Sequence, residues 1–498
     1  MKAKPGKKVI IGITASLLVL AVVLLAGFSG CFERNSTTEL ALDPKNEQEN
    51  EPEDPTMIPA TPTEAEDLTK LPTETPTQVP TSTPAVEPTV TNTPEPTLEP
   101  TPEPLRGPFG PDVEDFPAGM SMLTGELVDD PTTLNYVPAM VSITNWPISA
   151  RPQAGLGSAA LVYELYIGEG MSRFLALFYG NYPSSADNNG DSVGGDSQDG
   201  LAIDNTNADA IGPIRSGRLP YEGIRKLNNG FLVMASAYAG VSQNLDNVTN
   251  VFGSEDDDLN SARIPADELQ EIAAGYEGTL VEGALSGNVF DAGAPEGGQP
   301  ADTFWYIYNR LNQIAWKYDP QSGDYYRYAD QADGETFVRL TDAMNGEDVD
   351  ISNVILLFAN HRSCSATAFD IDLMGVNKNP AVVFRDGQKY DIFWTTRNGN
   401  FERETGKVRP IRFIDANGDP FPLKPGSSWI ILTPLQTPIW EAPLVEHVNL
   451  DELVWVPESP ELVIHRLLNS QEPGSGIWVS RFYQSYMVPD PAVCSKID

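Results

Sequence analysis

Ile211-Gly-Pro-Ile-Arg-Ser-Gly-Arg218, together with Arg151–Tyr179 before it, is the densest set of buriable strands interleaved with charge in this chain. Pro213 fixes its own φ and biases Gly212 away from helix, so the segment reads as a rigid corner. Pro220 then suits the first turn of a helix, where a missing N–H costs nothing, and that helix runs to about Asn229. Arg215, Ser216 and Arg218 sit just before its N-terminus. Planar guanidinium forks beside free backbone N–H groups make a place for a carboxylate or phosphate. The competing reading is structural: these arginines pair with the chain's own carboxylates, Glu164 and Glu169 foremost.

Upstream of the corner, Val137–Thr144 reads as a strand. Val162–Ile167 and Arg173–Tyr179 are apolar and β-favouring, joined at Gly168–Gly170 into a hairpin with Glu169 near its tip. Val162, Glu164 and Tyr166 share one face of their strand by the two-residue period. Downstream, Phe231–Ala237 reads as a buried strand and Ile264–Ala274 as a second helix. The expectation is therefore an α+β protein. An α/β-type part at 108–310 is followed by a mainly antiparallel β part at 311–439 and an extension at 440–498. In the second part short strands flank Asp319–Asp324, Asp386-Gly387 and Asp415–Gly418, and Trp429–Leu432 ends the series. Asp187–Gly200 separates two well-patterned pieces and reads as a surface insertion. Asp415, Asn417 and Asp419 resemble part of a calcium loop, but hairpin turn chemistry accounts for them.

Acidic residues number 70 against 32 basic, for a net charge of −38. That argues against nucleic acid, whose phosphates require a basic surface. Residues 1–31 have the layout of an export signal: Lys2, Lys4, Lys7 and Lys8 precede the mostly apolar run Val9–Phe28. Phe28-Ser-Gly-Cys31 is similar to a bacterial lipobox, which makes Cys31 the lipidation site; Phe28 departs from the aliphatic residue usual there. The alternative is an uncleaved anchor, since about 20 apolar residues span a bilayer. In both cases the lysines stay inside, and the folded part lies on the outer face of the cytoplasmic membrane. Residues 32–107, dominated by Pro, Thr and Glu, read as a disordered stalk. At ~3.1 Å per residue in polyproline II its extended limit is roughly 230 Å.

The motifs Arg151–Leu156, Val162-Tyr-Glu164, Glu169-Gly-Met-Ser-Arg-Phe174 and Ile211–Arg218 resemble the YerB-like lipoprotein family. That family carries a two-part domain of unknown function. The resemblance extends to its second part through Trp316–Asp319, Asn353–Leu357, Val383–Gly387 with Trp394, and Pro410–Gly418 with Pro425–Ile430. It implies a surface-exposed bacterial lipoprotein and carries no catalytic residues to transfer.

Signals for chemistry are sparse. His361-Arg-Ser-Cys364 places an imidazole near a thiol after a buried strand, a poor setting for a Cys–His pair, and the spacing is odd for zinc. Cys364 and Cys494 are the candidates for a disulfide outside the cell. No phosphate-binding loop or dinucleotide fingerprint occurs, so no cofactor or metal is expected. Two functions follow. The first is a non-catalytic envelope protein, anchored in the membrane, that binds a wall polymer, an envelope protein or an anion through Glu164, Glu169, Arg173, Arg215, Ser216 and Arg218. The second is an envelope hydrolase using Glu164 and Glu169, which requires two carboxylates facing each other across a cleft.

Overall fold

The computed structural model describes residues 105–183, 210–253, 260–334, 336–441 and 476–497, all within the compact unit Leu98–Asp498. The export signal, Cys31, the stalk and the Asp187–Gly200 insertion lie outside the described residues. Among the described residues no helix is long and apolar enough to cross a membrane.

The hairpin around Glu169 forms as its sequence dictates. Strands β2 (Leu161–Gly168) and β3 (Met171–Phe178) pair antiparallel, and Glu169 and its two flanking glycines all take positive φ at the tip. Strand β1 (Ala139–Thr144) pairs antiparallel with β3 and parallel with β4 (Phe231–Met234), which pairs in parallel with β5 (Val248–Asn250). A helix, α1 (Pro220–Leu227), covers one face of these strands. Tyr221 Oη lies 3.0 Å from Ser142 Oγ, and Asn228 Nδ2 donates to Tyr163 Oη. The second helix, α2, is Ala266–Ala274, with Ile264–Pro265 before it extended as a short strand.

The second half of the chain enters the same sheet. Strand β6 (Asn353–Ser363) and strand β7 (Ser428–Pro434) run parallel to each other, and β7 runs parallel to β2. The sheet continues from β6 through the antiparallel strands Asn379–Arg385, Gln388–Thr395 and Arg412–Ile414. A smaller sheet contains Thr303–Asn309, Asn312–Asp319, Asp324–Asp330 and Ile477–Arg481. The two sheets pack face to face. Trp316 meets Trp429 edge-on at 5.3 Å, and Phe304 stacks on Phe384 at 4.3 Å.

This changes the expected architecture. The position 310/311 falls in the two-residue turn between Asn309 and Asn312, and one apolar core draws on residues from both sides of it. The expected hairpins do form, with Asp386 and Gly387 both at positive φ in their turn. Trp429–Leu432, however, does not end an antiparallel series but lies in the middle of the large sheet. Strands β2 and β7 are buried at every residue, the continuous apolar pattern of a sheet covered on both faces. The result is a β-rich fold with few helices, in which both halves of the chain share the large sheet.

Candidate functional site

The corner at Ile211–Arg218 is wedged between two parallel strands. Beyond Val141 and Val233, strands β1 and β4 no longer pair with each other. Arg215 takes their place: its N–H donates to Ser142 O, and its carbonyl accepts from Ala235 N. Thr144 N donates to Pro213 O, and Gly217 N donates to Ser236 O. A Cβ at Gly217 would lie 2.3 Å from Met234 Sδ, so a larger residue there requires the Met234 side chain to shift. The corner thus sits at the carboxyl ends of parallel strands, where open sheets leave a crevice.

Three arginines converge on it. Arg173 Nη1 donates to Ser216 O at 2.6 Å and to Ser216 Oγ at 3.3 Å. Arg218 Nη1 donates to the same hydroxyl oxygen at 2.9 Å and to Gly217 O at 3.0 Å. Arg215 Nη2 donates to Asn260 Oδ1 at 2.8 Å. Burial pulls the Arg173 guanidinium down to about 10; nearby Tyr221 offsets this in part, while Arg218 and Arg215 push the same way as burial. Arg173 Nε is buried and has no hydrogen-bond partner in the described structure. Among the described residues neither Arg173 nor Arg218 forms an ion pair.

The predicted carboxylates are elsewhere. Glu164 pairs in register with Phe174, so Arg173, one residue away, points to the opposite face of the sheet. Glu164 is enclosed between the two sheets. Its oxygens accept from Arg327 Nη2 at 3.1 and 3.3 Å, Ser172 Oγ at 2.8 Å and Trp429 Nε1 at 2.9 Å. The Arg327 guanidinium lies about 5 Å from the ring centres of both Phe174 and Trp429. Glu169 is exposed at the hairpin tip. The expected cluster therefore divides. Arg173, Arg215, Ser216 and Arg218 come together, while Glu164 and Glu169 do not join them. The hydrolase reading falls with this, because Glu164 is a closed ion pair in the core and not an acid lining a cleft.

Arg327 was not legible as a partner. Its sequence signal is a lone arginine in the aromatic strand Tyr325–Tyr328, which a hairpin reading absorbs. Arg151 extends the buried polar network, donating from Nε to Asn145 O and from Nη1 to Asp330 O. His361 and Cys364 form no catalytic pair. His361 is buried, burial pushes its imidazole down to about 4, and Nδ1 lies 3.0 Å from Ala359 O. Cys364 is bonded to Cys494. The Asp415 carboxylate accepts from the backbone N–H groups of Asn417, Gly418 and Asp419, which is turn chemistry.

Known proteins share much of this chain. Residues 123–194 match the family described as "Protein of unknown function (DUF3048) N-terminal domain", and residues 305–430 match the corresponding C-terminal domain. The curated protein "Putative lipoprotein YerB" of Bacillus subtilis (strain 168) is 24% identical over 316 residues, covering 60% of this chain and 81% of that protein. The crystal structure of the YerB protein from Bacillus subtilis aligns at 20% identity with a TM-score of 0.48, over 63% of this chain and 96% of the other. The stretches matched by the family contain Glu164, Ser172, Arg327 and Trp429, the residues that join the two sheets. The chain thus matches both parts of the DUF3048 domain of unknown function and is similar to the YerB-like family.

Proposed function

We propose that this chain is an extracytoplasmic bacterial lipoprotein, anchored through Cys31, that captures an anion of the cell envelope at the arginine corner without transforming it. One observation carries the reading. Arg173 and Arg218 both donate to Ser216, and neither meets a carboxylate among the described residues, in a chain with 70 acidic residues. Guanidinium groups brought together without their counter-charge favour an incoming carboxylate or phosphate. The position at the carboxyl ends of parallel strands supports the same reading. The relative's description as a lipoprotein supports the anchor.

The test is retention of the full chain on purified wall and on envelope extract, beside its Arg215→Ala/Arg218→Ala variant. Retention should be lost in the variant while its melting temperature stays near that of the parent. Equal retention removes the corner as a binding site. For the anchor, Cys31→Ser should abolish incorporation of a fatty-acid label; a parent chain that takes up no label while staying in the membrane identifies an uncleaved helix instead.

A further inference from the structure

Arg218 lines a cavity of about 320 Å³ beside the corner. One wall is Gly217-Arg218-Leu219, leading into α1. A second is Tyr238 and Val241, and a third is Thr367–Phe369, in the segment that follows β6. Arg218 is the one charged residue among those lining it. The side-chain hydrogen bonds of Arg218 all leave from Nη1, two to Ser216 and one to Gly217. Its Nε–Nη2 edge carries no hydrogen bond within the described structure. Such an edge can grip a carboxylate with two parallel bonds. Tyr238 is 72% exposed, a large ring held at the cavity with most of its surface open.

We infer that this cavity binds a small monocarboxylate bearing an apolar or aromatic group. The carboxylate takes the free edge of Arg218, and the apolar group fills the space between Tyr238, Val241 and Phe369. Arg218, the one charge in the lining, balances one negative charge, and the otherwise mostly apolar lining disfavours a bare phosphate, which needs more donors. The inference rests on the arginine-corner reading and names its ligand class.

The C-terminal segment completes the cavity. Ile497 lines it, and the Cys364–Cys494 disulfide ties the helix Pro491–Ile497 to the end of β6, just before Thr367. Asn244 Nδ2 donates to Lys496 O, joining the same helix to the Tyr238–Val241 wall.

Calorimetric titration of the full chain with acetate, sulfate, 4-phenylbutyrate and the neutral 4-phenylbutyramide tests this. Phenylbutyrate should bind at least tenfold tighter than acetate, and the amide at least tenfold weaker than phenylbutyrate. Arg218→Ala should lose both carboxylates. Val241→Trp, which fills the cavity, should lose the advantage of phenylbutyrate and keep acetate. Should Val241→Trp melt early, Thr367→Trp fills the space from the opposite wall and carries the same expectation. Arg218-dependent binding of acetate or sulfate with no gain for phenylbutyrate overturns the cavity inference and leaves the anion corner standing. No Arg218-dependent binding of any anion overturns both.

Discussion

Two arginine sites lie back to back on one hairpin. On the face toward the small sheet, Arg327 meets Glu164 and both side chains are 1% exposed. On the other face, Arg173 meets Arg218 at the Ser216 hydroxyl. Phe174 and Arg173 are consecutive residues, and the pleat alone sends one toward each site. The first site has its charges answered from within and so has nothing left to offer a ligand. The second holds Arg173 and Arg218 together without a carboxylate among the described residues, and it opens on a cavity. Burial with a partner marks architecture; the cluster without a carboxylate partner among the described residues is the proposed site.

The sharpest way to break this contrast is to remove the charge of Glu164. Glu164→Gln leaves the Arg327 guanidinium buried and uncompensated, which should cost about 3–5 kcal/mol in denaturant unfolding. Glu164→Leu combined with Arg327→Met should recover most of that loss, because an apolar pair needs no desolvation of charge. A Gln variant as stable as the parent would show that the pair does not hold the sheets together.

A smaller effect comes from a buried group with no charged partner among the described residues. The folded-state pKa of His361 is depressed to about 4 from 6.5, so the fold holds the neutral imidazole. Its contribution is full above pH 6.5 and is lost as pH falls through about 4. The loss should approach about 3 kcal/mol, since each tenfold change in proton affinity is worth roughly 1.36 kcal/mol. His361→Phe, which suits the surrounding Phe369 and Phe482, should flatten that part of the stability profile between about pH 7 and 4. An unchanged slope would assign the acid sensitivity to carboxylates instead.

The smallest stability effect belongs to the open site. Arg218→Ala should move the unfolding free energy by no more than about 0.5 kcal/mol, as for a surface substitution without a buried partner. A loss of several kcal/mol would make the corner architectural like its counterpart, and the contrast would collapse.

Much of the local structure is legible in the residues alone. The hairpin Leu161–Phe178 announces itself by two apolar runs around Gly168–Gly170, and α1 by Pro220 at its first turn. Arg215, Ser216 and Arg218 group because they are local, and the fold brings Arg173 to them from a neighbouring strand. The assembly of the sheet is not legible. Trp429–Leu432 and Val354–Leu357 are both continuous apolar runs, and nothing in such a run names its partner strand. Glu164 is misplaced by the sequence reading for the same reason: its partner lies 163 residues away in a different sheet.

Neighbours along the chain suffice for the turns, α1, the charge balance, the lipobox-like Cys31 and the corner's rigid approach to its helix. Distant strands had to meet before the rest was decided: which face each charge occupies, that Arg327 and not Arg218 answers Glu164, and that the C-terminal helix closes a cavity beside Arg218. The physical reason is range. Backbone preferences and pleat alternation act over a few residues, whereas the pairing of buried charges and apolar strands is settled only when the whole core closes.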